Sequence, residues 1–455
     1  MYRCRSCVLS MTLTYAVLAA GPLHAADTQP VPDPLSLQQA ISLIDEQHPV
    51  LLQDKLLLER AKNTANEARE HNSLSVDLVG RVHWYEAGSS RFDVGDHDDH
   101  GLRLVVSKPL YDGGYSGSLA ESAEQGRKAA KLRIAENRSL YTITVMQKFF
   151  DVILADLEAA RDNEDMAVRF VRFEDGQDGH ELGKISDVEL LALENEYQQA
   201  RLRMVESRGR ASSTRQALVL ALNRPGQQPS ALTLPELDVH SRTLLEFGIL
   251  AEKALKNNRQ LAALDSELLS ARAEVEAARA PYRPDVSAVV ERSEYSRDLG
   301  SHDKWRAGLQ MTWPLFSGGQ SDVATSKAQL KVNQILYQRR QLELDIRQKI
   351  WDMVEEFVLL EAQRRASDVF SSYRELYMDR SRALYELEVE TDLGDAMIQI
   401  SESQLRDVRQ TFQMTLLLAQ LNHLIGEENS MNWSAVTEKI DIQPQAGQQA
   451  REDVQ

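Results

Sequence analysis

Apolar and polar residues alternate in four short stretches of the chain, at residues 73–85, about 100–112, 284–295 and 304–316. In the first, the apolar face carries Val76, Leu78, Gly80, Val82 and Trp84. In the last, it carries Trp305, Ala307, Leu309, Met311 and Trp313. A period of two over about ten residues is typical of barrel strands with an apolar outside and a polar inside. The pattern therefore predicts four strands of a membrane β-barrel.

Three tryptophans stand on the predicted apolar faces, near the ends of the strands. They are Trp84, Trp305 and Trp313. Trp is enriched where lipid meets water, so we predict that these residues are membrane-interface aromatics. Ordinary packing is the alternative.

Segments with helical periodicity surround the strand pairs. A helix is expected at residues 37–71, interrupted near Pro49. After the first strand pair, apolar residues recur at spacings of three and four, at Ile143, Met146, Phe150, Ile153, Leu157 and Ala160. Residues 321–387 contain no Pro and no Gly, which predicts a helix of roughly 100 Å. Return helices are expected at about 185–223 and 391–425. Such apolar seams favour coiled-coil pairing.

The chain also contains an internal repeat. The segment Pro109–Ser116 (PLYDGGYS) recurs as Pro314–Ser321 (PLFSGGQS) at an offset of 205 residues. Each Gly-Gly pair marks a corner between strand and helix: Gly113, Gly114, Gly318 and Gly319. We expect Ser116 and Ser321 to cap the helices that follow.

The repeat predicts a domain organisation. A first structural repeat is expected at 26–224, a linker at 225–242, a second repeat at 243–427 and a polar tail at 428–455. Each repeat would contain a helix, two strands and two long helices.

The N-terminus has the order of a secretory signal. Arg3 and Arg5 precede an apolar segment from residue 8 to 20, and a small-residue cleavage site ends at Ala25. We therefore predict a signal peptide at 1–25. Both cysteines, Cys4 and Cys7, lie within it, so the exported chain would have no disulfide, no thiol nucleophile and no N-terminal lipid anchor.

Composition narrows the class of protein further. The formal net charge is −17, which argues against nucleic-acid binding. No later stretch reaches 18 consecutive apolar residues, so a membrane would have to be crossed by strands.

The sequence contains no motif that indicates catalysis. The chain contains no G-x-S-x-G, H-E-x-x-H or P-loop motif, and we predict no enzyme activity, no cofactor and no metal. One dense acid–imidazole cluster consists of Asp93, Asp96, His97, Asp98, Asp99 and His100. A solvated loop is its default interpretation, and whether the loop 93–100 binds metal is left open.

The repeated Pro-Leu-aromatic-x-Gly-Gly corners, with strand pairs before them and uninterrupted helices after them, resemble the TolC-like outer-membrane factors. These are the outer-membrane channels of tripartite efflux pumps and type I secretion systems. The resemblance covers about residues 35–426. It implies a mostly α fold with a membrane β-barrel portion: four strands per chain in a trimeric 12-stranded barrel, above a long α-helical coiled-coil tunnel in the periplasm. It also implies a homotrimer in the outer membrane of a Gram-negative bacterium.

The resemblance further places a pore entrance at the two turns between long helices. The residues expected there are Tyr385, Glu388, Glu390, Asp392 and Asp395 in the second repeat, and Lys184 and Asp187 in the first. Tyr385 matches the tyrosine of the family's gate and Thr391 its helix-starting threonine. The basic residue that makes a polar link at this turn in the family is missing here. Lys184 is expected to pair with one of the acids instead. Each predicted role has a simpler alternative. The acids could only stabilise the helix dipole at the start of a helix, and Tyr385 could only pack against its neighbours.

Two functions compete at this point. The first is a passive exit duct for efflux or type I secretion, joined to a periplasmic adaptor (membrane-fusion) protein and an inner-membrane pump. The second is a soluble periplasmic coiled-coil adaptor or scaffold. The four alternating stretches favour the duct, because a scaffold has no need of them. The transported substrate and the particular pump cannot be read from the sequence.

Overall fold

The computed structural model describes residues 30–84, 98–237, 244, 246–296, 303–316, 318–387 and 393–427. In these ranges the chain is mostly helical with one small sheet. The elements are α1 (Leu37–Ser42), α2 (Pro49–Glu70), β1 (Ser75–Trp84), β2 (Asp98–Asp112), α3 (Tyr115–Glu181), α4 (Asp187–Ala221), α5 (Phe247–Asn257), α6 (Arg259–Arg279), a 3-10 turn (Ala280–Tyr282), β3 (Asp285–Tyr295), β4 (Trp305–Thr312), α7 (Gln320–Glu386) and α8 (Leu393–Leu424). None of the described helices is both long and apolar enough to cross a membrane.

The strands form one antiparallel sheet in the order β1-β2-β3-β4. Leu78 pairs with Leu104, and Val106 pairs with Val290, which in turn pairs with Ala307. Because directly paired residues share a face of a sheet, the apolar faces predicted for separate strands combine into one surface. The large apolar side chains on this surface are exposed: Val76, Leu78, Val82, Leu102, Leu104, Val290, Leu309 and Met311.

Strand boundaries agree with the alternation to within two residues, except at the end of β4. The alternation predicts a strand to residue 316, whereas β4 ends at Thr312. The prediction was wrong there because Pro314 has no N–H to donate to a neighbouring strand. Trp313 therefore lies just beyond the sheet, at the level where the chain turns toward α7.

The helices lie side by side around α3. Near the sheet, α3 packs against α2 and α6, as in the ion pairs Arg69–Glu124 and Arg133–Glu267. Farther along, α3 packs against α4 and α8, as in Arg203–Asp165 and Arg161–Glu402. Helix α7 packs on α6 and α8. The lateral order is thus α2-α3-α6-α7 near the sheet and α4-α3-α8-α7 away from it, so α2, α4 and α7 are edge helices.

The main core lies midway along α3, where α1 and the ends of α4 and α8 meet it. Phe150 stacks on Phe412 with ring centroids 4.0 Å apart, and Phe149 is fully buried beside them. A buried polar contact joins the same helices, since the Glu136 Oε1 and the His423 Nε2 lie within hydrogen-bond distance, 2.8 Å apart. The two halves of the chain are therefore held together by both apolar and polar contacts.

Glycines form the corners between sheet and helix. Gly114 and Gly319 are the N-cap residues of α3 and α7, with φ of 87° and 82°. The expectation that Ser116 and Ser321 cap these helices was wrong, because neither N-cap is satisfied by a serine side chain. At the first corner, the Asp112 carboxylate accepts hydrogen bonds from the backbone N–H groups of Gly114 and Ser116, at 3.1 and 2.7 Å.

Candidate functional site at the far ends of the long helices

The predicted entrance lies at the ends of α3 and α7 farthest from the sheet, which we call the tip. The tip contains the turn 182–186 and the starts of α4 and α8. Tyr385, Asp395, Lys184 and Asp187 are described by the structure. The predicted site residues Glu388, Glu390 and Asp392, and also Thr391, lie outside the described residues.

The turn between α3 and α4 is built by a glycine and a capping box. Gly183 has φ of 71°, which lets the backbone reverse after α3. Ser186 then begins α4: its backbone N–H donates to the Glu189 carboxylate at 2.7 Å, and its Oγ accepts from the Glu189 N–H. The hydrogen bond from the Ser186 backbone lowers the pKa of Glu189 below its ordinary value of 4.5. A left-handed glycine and a capping box thus define this turn.

Asp187 belongs to the same turn and acts locally. Its carboxylate lies 2.6 Å from the His180 Nε2, across the turn from the last residues of α3. Lys184 is exposed between them. The structure thus gives Asp187 a contact within the turn, and its predicted role at a pore entrance stays a prediction.

Asp395 has a partner that the sequence analysis did not foresee. In the first turn of α8, its Oδ2 lies 2.5 Å from a guanidinium nitrogen of Arg172 on α3. The expected partner among the described residues was Lys184. Arg172 and Asp395 are 223 positions apart and Arg172 stands in no recognisable motif, so only the packing of α3 against α8 reveals the pair.

The close approach of α8 to α3 depends on Gly394. A Cβ atom at this position would lie 2.8 Å from the Val168 Cγ2. Real side chains do not tolerate such a contact, so the start of α8 packs on α3 only with glycine there.

A second arginine of α3 links the same helices farther from the tip. Arg161 bonds to Glu402 on α8 and to Asp162, the latter at 2.6 Å. Asp165 joins α3 to α4 through Arg203 at 2.6 Å. The far half of α3 is therefore connected to both neighbours by ion pairs.

The pairing of α7 with α8 changes character along its length. Toward the middle of the molecule it is apolar, with Phe357 and Leu360 packed against Leu417 and Leu418. Toward the tip it becomes polar: Ser371 donates to Asp407 at 2.9 Å and lies 2.7 Å from the Ser403 Oγ. We call this polar stretch, formed by Ser367, Ser371, Ser403 and Asp407, the serine seam.

The predicted interface tryptophans are exposed on the structure. Trp84 meets His100 edge-on with centroids 5.8 Å apart, and the guanidinium of Arg292 lies 5.2 Å from the Trp305 ring centroid. The Trp313 Nε1 donates to the carbonyl of Tyr282 at 3.2 Å. These contacts leave most of each ring uncovered, as the interface prediction requires, and the role itself stays a prediction.

The acidic loop is only partly within the described residues. Asp93, Asp96 and His97 lie outside them, whereas His100 is part of β2. Within the described ranges, the structure contains no cluster of three or more His, Cys, Asp or Glu side chains suited to a metal ion.

Comparisons with known proteins identify the class of fold. Residues 250–427 match the family described as outer membrane efflux protein. CusC is similar over 86% of this chain and 92% of its own, at 18% identity and a TM-score of 0.70. The CmeC outer membrane channel of Campylobacter jejuni is similar over 88% and 87%, at 14% identity and a TM-score of 0.71. VceC of Vibrio cholerae is similar over 86% and 96%, at 16% identity and a TM-score of 0.68.

No curated protein matches the sequence significantly. The resemblance to the TolC-like outer-membrane factors is nevertheless confirmed, by the family match in the second half of the chain and by the shared fold over most of its length. The chain has the fold of these outer-membrane channels.

Proposed function

We propose that this chain is one subunit of a homotrimeric exit duct in the outer membrane of a Gram-negative bacterium. In this proposal the sheet contributes four strands to a 12-stranded barrel, and the long helices form a tunnel in the periplasm. The equal length of α3 and α7, 67 residues each, supports the proposed internal duplication. A periplasmic adaptor protein and an inner-membrane pump would complete the assembly, serving efflux or type I secretion.

The exposed apolar face of the sheet is the observation that carries the proposal. An apolar surface across all four strands is unfavourable in water, but it suits contact with lipid. A soluble periplasmic adaptor or scaffold has no use for such a face, so that alternative is less well supported.

The edges of the sheet support association between copies. β1 and β4 each have one unpaired edge, and unpaired backbone groups are not tolerated in lipid. β1 leads away from the helices and β4 leads back to them, so β4 of one copy could pair with β1 of the next in an antiparallel manner. The same arrangement places α7 of one copy beside α2 and α4 of its neighbour.

The edge helices carry the apolar surface that this arrangement needs. On α7 an exposed apolar residue recurs at every seventh position, at Val323, Leu330, Tyr337, Leu344, Trp351 and Val358. We call these residues the α7 stripe. A strict seven-residue repeat is the pattern by which helices pair along their length. Exposed partners are present on the opposite edge: Leu56 and Leu57 on α2, and Val188, Leu191, Leu202 and Val205 on α4.

At the tip, we propose that the Arg172–Asp395 pair and Tyr385 together hold the entrance closed. The pair joins the start of α8 to α3. In this proposal it takes the place of the link that a basic residue makes in the family's gate and that is missing here. The acids Glu388, Glu390 and Asp392, with Asp187 and Lys184 across the tip, would form a charged ring. Three copies of such acids around a narrow pore would favour cations over anions.

Planar-bilayer conductance of the detergent-extracted protein tests the duct and the gate together. Wild-type protein should give small, cation-selective currents, and Arg172→Gln or Asp395→Asn should enlarge them. Arg203→Gln is the matched control, because it breaks an ion pair of α3 with α4 and leaves α8 untouched. Equal currents in all variants would keep the duct and exclude the gate residues, whereas a protein without conductance in the periplasmic fraction would refute the duct.

A further inference from the structure

An open groove of about 610 Å³ lies beside the corner between β4 and α7. The end of α6, the 3-10 turn and the first turns of α7 form it, and the side chains that line it are polar. On α7 the lining includes Asp322, Thr325 and Gln329, none of which belongs to the α7 stripe. The Thr325 Oγ donates to the Ala278 carbonyl on α6 at 3.4 Å. The groove therefore lies between two helices of one chain.

Two guanidinium groups lie on the α6 side of the groove. Arg279 and Arg283 share the carboxylate of Glu276, at 2.8 and 3.9 Å. Arg283 also donates to the Gly113 carbonyl at 2.8 Å, which fixes its guanidinium at the corner before α3. Both side chains are about half exposed. Because a guanidinium has five N–H groups, each arginine has donors left for a ligand in the groove.

The opposite side of the groove carries negative charge. Asp322, in the first turn of α7, is exposed, and its carboxylate accepts a hydrogen bond from the Tyr282 hydroxyl. With Glu276, Asp322 balances the charges of the two arginines. The groove thus offers cationic donors on one side and an anionic acceptor on the other, and its overall charge is close to zero.

The groove also adjoins the end of the apolar face of the sheet. Trp313 continues the alternation of β4, and its Nε1 donates to the carbonyl of Tyr282, a residue of the groove, at 3.2 Å. Leu315, two positions further along the chain, is 85% exposed. In the proposed duct the sheet spans the outer membrane and the helices extend into the periplasm. The groove would then lie at the level of the lipid headgroups of the periplasmic leaflet.

We propose that the groove binds the headgroup of a zwitterionic phospholipid. The phosphate accepts from Arg279 and Arg283, the ammonium group donates to Asp322, and the acyl chains lie against Trp313. An anionic headgroup fits less well, because it would bring a phosphate near Asp322 without the ammonium group that offsets the repulsion. The proposal rests on the proposed duct, which places this end of the sheet at a membrane surface.

Native mass spectrometry of the full-length protein in detergent, titrated with defined lipids, tests the proposal. Phosphatidylethanolamine and phosphatidylglycerol with the same acyl chains share the phosphate and differ in the ammonium group. Wild-type protein should bind its first phosphatidylethanolamine about tenfold more tightly than its first phosphatidylglycerol, because the second lipid cannot form the charge-assisted hydrogen bond to Asp322.

A soluble ligand distinguishes a lipid from a free phosphodiester. Glycerophosphoethanolamine has the same headgroup without acyl chains, and should bind at least about tenfold more weakly than the phospholipid because the apolar contact with Trp313 is lost. Equal binding of the two would overturn the proposal and assign the groove to a soluble phosphodiester.

Three variants assign the binding to the groove. Asp322→Asn keeps an acceptor for the Tyr282 hydroxyl and should remove the preference for phosphatidylethanolamine. Arg279→Gln should lower the affinity for both phospholipids about tenfold. Arg272→Gln is the matched control, because Arg272 lies about two turns before Arg279 on the same side of α6, and it should change neither affinity.

Equal affinities of wild-type protein for the two phospholipids would overturn the proposal without any variant. An equal loss of affinity in Arg272→Gln and Arg279→Gln would do the same, since the groove would then have no special part in binding. Conductance is measured separately. A conducting protein without the lipid preference would keep the exit duct and exclude the headgroup site, so the two failures are distinguishable.

Discussion

At the scale of single residues, the corner glycines differ in what surrounds them. A Cβ at Gly113 would lie 2.8 Å from the carbonyl oxygen of Ala280, whereas a Cβ at Gly319 would have no neighbour within 4 Å. Both glycines have positive φ, of 68° and 82°. The two positions therefore share a backbone conformation and differ in packing.

This difference predicts the effect of Gly→Ala substitutions. Gly319→Ala should lower the free energy of unfolding by about 1–2 kcal/mol, the ordinary penalty of the left-handed conformation for an L residue. Gly113→Ala should lower it further, because the Ala280 carbonyl must also move. Thermal unfolding followed by circular dichroism measures both, and equal losses would contradict the packing argument.

The capping box at Ser186 makes a second prediction. Ser186→Ala removes the Oγ that accepts from the Glu189 N–H, and should destabilise the first turn of α4 by about 1 kcal/mol. Hydrogen exchange of the amides of residues 187–190 measures this local stability.

The same turn should respond to pH. The folded-state pKa of Glu189 lies below 4.5, so its contribution is present above that value and disappears as the pH falls through the lowered pKa. Ser36 and Gln39 form the equivalent capping box of α1 with a side chain that does not titrate. After correction for intrinsic exchange, protection at α4 should fall in acid while protection at the start of α1 changes less. A parallel loss at both helices would show that the Glu189 carboxylate is not responsible.

At the scale of elements, the stacked pair Phe150–Phe412 fixes α8 against α3. Phe412→Ala should lower the free energy of unfolding by about 3–5 kcal/mol, because it removes a buried aromatic ring and leaves a cavity. Phe316→Ala is the matched control, since the Phe316 side chain is 89% exposed and its loss should have little effect on unfolding. Chemical denaturation of both variants in detergent compares them, and similar midpoints would contradict the assigned role of the pair.

The elements themselves were largely predictable, because they depend on local patterns. The alternation from Val76 to Trp84 and the long segment without Gly or Pro in α7 are visible in the sequence alone. The contacts between elements were not. Arg172 contacts Asp395 because Gly394 lets α8 approach Val168. No local sequence pattern around Arg172 or Asp395 predicts this contact. The error at Ser116 has a similar origin, since the backbone conformation of Gly114 and not a side chain begins α3.

At the scale of the whole molecule, the α7 stripe makes a prediction about assembly. Tyr337→Lys places a charge in the proposed contact with the neighbouring copy, where burial of an unpaired ammonium is costly. We expect the variant to lose the trimer in native mass spectrometry. Gln338→Lys adds the same charge one position away, off the stripe, and should leave the trimer intact. A trimeric Tyr337→Lys protein would exclude the stripe as the subunit contact.

The serine seam determines which kind of surface is exposed if α7 and α8 separate near the tip. Hydroxyl and carboxylate groups exchange their partners for water at little net cost, whereas the parted apolar surfaces of Phe357 and Leu417 would adhere to other proteins. A separation confined to the seam would therefore expose a hydrophilic surface. In the proposed duct, an entrance that opened along this seam would therefore expose no apolar surface.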